Sequence, residues 1–121
     1  MAQAEIDRRK FSELLLTKFP ELQDEDQEWQ GLVHLQMMEF ALLTERACKR
    51  GDWKTADRCL RLADKLLRLG DYEISNAMHV SYLECLPRKG EIHDRIKKRM
   101  TTDLRKAWDD ILGYLSKLSG T

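Results

Sequence analysis

The chain has 121 residues, enough for one hydrophobic core and too few for two. Hydrophobic residues make up 42% and charged residues 35%, with two prolines and six glycines, which argues against a β-sandwich or barrel and for helices that each carry a solvated face. The 21 basic and 21 acidic side chains cancel, so the basic excess that bulk nucleic-acid binding needs is missing.

The first predicted helix, about 3–18, carries Ile6, Phe11, Leu14, Leu15 and Phe19 on its apolar side and ends at Pro20. The second, about 25–50, puts Leu32, Leu35, Met38 or Glu39, Leu42 and Ala47 on a broad apolar face. Glu25, Asp26 and Glu28 at its start and Lys49 and Arg50 at its end agree with the helix dipole.

The third, 52–69, is bounded by the same dipeptide at both ends, Gly51-Asp52 and Gly70-Asp71. Each glycine reads as a left-handed helix stop, and each aspartate as a cap whose carboxylate bonds the open amides of the next first turn. Between them Trp53, Ala56, Cys59, Leu60, Ala63, Leu66 and Leu67 recur every three to four residues. The opposite face is Lys54, Arg58, Arg61, Lys65 and Arg68, with Asp57–Arg61 and Asp64–Arg68 spaced as i,i+4 pairs.

The fourth, 72–86, is apolar almost all round and therefore central, and Pro87 and Gly90 end it. The fifth, about 91–118, has the stripe Ile92, Ile96, Met100, Leu104, Ala107 or Trp108, Ile111, Leu115 and Leu118. Five helices with short connections predict a single-domain, all-α antiparallel bundle over residues 1–121. No second copy of the 52–69 unit follows at a fixed period, so a helical-repeat solenoid is not indicated.

The chain shows no glycine-rich phosphate loop, H-E-x-x-H or nucleophile elbow, which predicts a non-enzymatic protein without a cofactor. His34 and His79 lie in apolar runs, and Glu39 is flanked by apolar residues. Together with Asn76 they read as a structural polar core that fixes helix register, because a buried carboxylate needs donors. A metal site would need Glu39 or Cys85 as a third ligand, and a small His/Glu metal enzyme is the weakest alternative. Cys48, Cys59 and Cys85 are odd in number, fit neither a zinc pattern nor a disulfide framework, and read as buried reduced thiols. With no apolar leader at the N-terminus and no apolar run of membrane-spanning length, the chain is expected to be soluble and cytoplasmic, without a membrane partner.

The neutral total hides a division: residues 1–45 hold ten acidic and four basic side chains, and residues 46–100 hold eight acidic and fourteen basic. The acidic side is densest at Glu21, Asp24, Glu25, Asp26 and Glu28, next to Trp29. Such a stretch serves a helix dipole, and it also suits an acidic surface with an aromatic anchor for a basic protein partner. The basic stripe of 52–69 and the run Arg95–Met100 read as solvated helix faces, and the triplet Arg50-Gly51-Asp52 reads as a helix junction.

Residues 32–86 resemble a family of small bacterial helical proteins. The pattern is a histidine and a Glu-Phe in one helix, a Gly-Asp turn, a helix of the form LADxLLxxGD, then an asparagine and VSxLExL. Here it falls on His34, Glu39-Phe40, Gly51-Asp52, Leu62 through Asp71, Asn76 and Val80 through Leu86. Members of this kind look like immunity proteins that neutralise polymorphic toxins of contact-dependent, Rhs or type VI systems. The resemblance therefore implies a cytoplasmic protein that occludes a cognate toxin. A helical adaptor binding a peptide or protein is the alternative. The resemblance does not extend to residues 1–31, where the acidic stretch lies, or to residues 87–121.

Overall fold

The computed structural model describes residues 6–22 and 32–118. Among them are six α-helices and no strand: α1 (Arg8–Lys18), α2 (Val33–Arg50), α3 (Trp53–Leu69), α4 (Tyr72–Ala77), α5 (Glu91–Arg99) and α6 (Thr102–Leu118). The expected all-α bundle is the observed fold, with one core drawn from every helix.

Three boundaries differ from expectation, each for a local reason. Helix α1 starts at Arg8 rather than near residue 3, because Asp7 caps it by accepting from the Lys10 amide at 2.8 Å. Ile6 before it is extended, and its N–H donates to the Leu69 carbonyl at 3.1 Å while its carbonyl accepts from the Asp71 amide at 2.8 Å. Helix α2 starts at Val33, since Leu32 has a non-helical backbone; the expected start at residues 25–31 lies outside the described residues.

The expected last helix is two. Met100 is extended, and Thr101 restarts the chain by accepting from the Leu104 amide at 3.2 Å. Arg105 reaches back to the carbonyls of Lys97 and Met100, at 3.1 and 3.2 Å, and so satisfies the end of α5. The apolar stripe keeps its spacing across this break, which is why periodicity alone hides it.

Helix α4 continues into a wider π turn (Met78–Tyr82) and a tighter 3₁₀ turn (Leu83–Cys85), and this segment is central as expected. It packs against α2, α3 and α6 and buries Ile74, Ala77, Met78, Tyr82 and Leu83. Phe40 stands between Phe19 and Tyr82, with ring centroids 5.9 and 4.7 Å away. The buried Tyr82 hydroxyl shares a 2.9 Å hydrogen bond with Thr44, whose hydroxyl also lies 2.9 Å from the Phe40 carbonyl. That satisfaction is what allows a polar atom at the core's centre.

Of the two expected i,i+4 pairs, Asp64–Arg68 forms at 2.9 Å. Asp57 instead takes Arg99 of α5, which places one nitrogen 2.9 and 2.8 Å from its two oxygens and lays its guanidinium 4.5 Å from the Trp53 ring centroid. The cross-helix partner wins because it combines an ion pair with a cation–π contact.

Candidate partner-binding surface

Helix α2 is apolar on two sides, and only one side can face the core. The buried side is Val33, Met37, Phe40, Ala41, Thr44, Ala47 and Cys48. The stripe that the sequence assigned to the core is, except for Ala47, the outer one: Leu35 is 40% exposed, Met38 41% and Leu42 39%, with Leu32 at the exposed end. Both stripes satisfy helical spacing, so periodicity could not choose between them. Phe40 decides the rotation, because inward it reaches Phe19 and Tyr82. Leu35, Met38 and Leu42, at i, i+3 and i+7, are left as an apolar row on the protein's outside.

The residues expected to form a polar core lie at or near the surface. His34 is exposed and shares a 2.6 Å hydrogen bond with the Ser81 hydroxyl, which ties α2 to the π turn beside the exposed Val80. Glu39 is half-buried on the outer face of α2, with a carboxylate oxygen 4.0 Å from the Arg46 guanidinium. Asn76 is exposed, and half-buried His79 donates to the Ser75 carbonyl of its own helix at 2.9 Å. Among the described residues the buried polar side chains are Gln36, Thr44, Asp64 and Ser81 instead. Their short side chains and the single amide can be satisfied by one or two neighbours, whereas an interior His34–Glu39–His79 group would need a wider network. His34 and Glu39 therefore flank the outer apolar row with polar groups.

Among the described residues no group of three or more His, Cys, Asp or Glu side chains is placed to hold a metal ion. Cys48 and Cys59 are buried, as expected, and burial pushes their thiols up to about 11 and about 12, so both are protonated at neutral pH. Cys85 corrects the expectation: it is exposed, because the last 3₁₀ turn points it away from the core that takes Leu83 and Leu86.

Of the acidic stretch, Glu21 is exposed in a single 3₁₀ turn (Pro20–Leu22) beneath which Leu22 is buried. Asp24, Glu25, Asp26, Glu28 and Trp29 lie outside the described residues. The outer row of α2 begins immediately after that stretch in the chain. Among the described residues no helix is long and apolar enough to cross a membrane.

What α2 offers chemically is contact rather than reaction: three large flexible side chains on a helix locked from behind, rimmed by His34, Glu39 and Arg46. A fixed backbone loses little entropy on association, and an apolar centre with a polar rim is the usual anatomy of a protein interface. The chain matches the family model of a domain of unknown function, DUF7674, over residues 12–115. No curated protein and no solved structure is significantly similar to it.

Proposed function

The chain belongs to the DUF7674 family, and from that premise we propose that it is a non-enzymatic, cytoplasmic immunity protein that binds a cognate bacterial toxin and occludes its active or substrate-binding surface. The observation that carries the reading is the outward apolar row of α2, Leu35, Met38 and Leu42, which the fold leaves uncovered although a second, equally apolar face of the same helix is buried. An exposed row of this kind on a rigid helix suits insertion into a partner's groove. The resemblance over residues 32–86 adds the kind of partner. The acidic residues Glu21, Asp24, Glu25, Asp26 and Glu28, with Trp29, precede this row in the sequence and suit a toxin with a basic cleft, whose encounter their charge would speed.

The test is to sequence the neighbouring genes for one that ends in a toxin domain and to co-express that domain with this protein. Wild-type protein rescues the cells, and the Leu35→Glu/Leu42→Glu variant folds but binds about 100-fold more weakly or worse, because charges replace the apolar centre. Full rescue by that variant, together with loss of rescue on charge reversal of Asp24, Glu25 and Asp26, would move the interface off α2. A helical adaptor is the second reading, supported by the same row. It predicts tight binding of an isolated peptide, whereas toxin neutralisation needs the folded toxin domain.

A further inference from the structure

The basic face of α3 does more than face solvent. Asp57, Arg61, Asp64, Lys65 and Arg68 share one side of the helix, and Arg99 at the end of α5 closes over them to form a cleft of about 580 Å³, with Thr101 and Leu60 in its wall. That volume suits a small molecule. The cleft is preorganised by its own acids. Asp64 accepts from Arg68 Nε at 2.9 Å and from the Thr101 hydroxyl at 2.7 Å, and Asp57 engages only one nitrogen of Arg99, which also rests on Trp53. Each arginine is thus aimed by a carboxylate that uses one of its nitrogens, and its remaining N–H groups stay available.

Among the described residues Arg61 and Lys65 form no ion pair, although both line this cleft and its neighbour beside Lys18 and Arg58. Four cations against two aspartates leave the cleft with an excess of two positive charges. A planar carboxylate takes one arginine fork. A phosphoryl group presents three tetrahedral oxygens and takes donors from several directions, as they come here from α3 on one side and Arg99 on the other. We propose that this cleft binds a small phosphorylated anion through Arg61, Lys65, Arg68 and Arg99. The site is independent of toxin binding by α2, and its failure leaves that reading untouched.

Isothermal titration of the full chain with inorganic pyrophosphate tests it, with an oligoglutamate of matched charge as the second probe. The expected result is saturable pyrophosphate binding that weakens roughly tenfold or more in Arg61→Gln/Lys65→Gln. The charge-matched control Arg9→Gln/Lys10→Gln on α1 should bind as wild type does, and thermal melts confirm that both variants fold. Equal losses in the two variants would reduce the effect to diffuse attraction and overturn the site. Oligoglutamate binding as tightly as pyrophosphate would overturn the phosphoryl assignment in favour of an acidic protein partner. No saturable pyrophosphate binding at millimolar concentration would overturn the proposal outright.

Discussion

The chain writes Gly-Asp twice and folds it two ways. At the junction between α2 and α3, Gly51 takes φ +75, and the amides of Gly51 and Asp52 bond back to the carbonyls of Cys48 and Ala47 at 3.1 and 2.9 Å. This is a left-handed stop in open space: a Cβ at Gly51 would meet nothing within 4 Å. At the junction between α3 and α4, Gly70 has φ −69 and ψ 147, an extended backbone open to any residue. The expected left-handed stop is absent there, and the requirement for glycine is one of space. A Cβ at Gly70 would lie 2.5 Å from the Leu66 carbonyl oxygen and 2.6 Å from Ile74 Cγ2. The extended backbone also lets the junction take Ile6 alongside in a parallel bridge, reinforced where Arg8 donates to Glu73 at 3.1 and 2.9 Å. One glycine is needed for its dihedral angle and the other for its missing side chain.

Substitution separates the two reasons. Gly70→Ala carries the largest expected effect: the contacts are with backbone and with a buried branched side chain, so the junction must move, at a cost of roughly 3 kcal/mol. Urea denaturation measures it, and Gly70→Asn should be at least as harmful. Gly51→Ala is smaller, about 1–2 kcal/mol, since only the left-handed dihedral is strained. Gly51→Asn should recover much of that loss, because asparagine tolerates the left-handed region. If asparagine rescued both sites equally, or neither, the distinction between the junctions would fail.

The same contrast explains what could be read from sequence. Both junctions were legible as helix ends because glycine and aspartate act over three or four residues. The backbone at Gly70 was not, because its partner Ile6 is 64 positions away and extended pairing leaves no periodic signal. Helix α2 shows a second limit. Its outer row was visible as apolar spacing, yet which of two apolar faces turns inward depends on Phe19 and Tyr82, on other elements. The basic cleft shows a third. Arg61, Lys65 and Arg68 were legible as one face, but the Met100–Thr101 break that aims Arg99 across it was hidden inside an unbroken stripe.

The aspartates give the smallest and finest difference. Asp71 caps α4 by accepting from the Ile74 amide at 3.0 Å, and Asp71→Ala should cost about 1 kcal/mol. Asp52 caps α3 in a denser arrangement, accepting from the Thr55 hydroxyl at 2.8 Å and the Thr55 amide at 3.2 Å. The hydroxyl first, then the amide, then Arg50 hold its carboxyl below the ordinary carboxylate value. A carboxyl lowered by folding stabilises the fold above its unfolded pKa, about 3.9, and loses that contribution as pH falls through the folded value. The stability gap between wild type and Asp52→Ala should therefore stay constant from pH 7 to about pH 5 and shrink below about pH 4. Asp52→Asn offers the matching control: its side-chain oxygen can still accept from the Thr55 amide, but it cannot ionise. Urea melts across that range should show a gap from wild type that closes in acid, because at low pH the protonated Asp52 and the asparagine are near-equivalent caps. A gap that stays the same in acid would mean that the cap works without its charge, and that the Thr55 hydroxyl does not distinguish this junction from the one at Asp71.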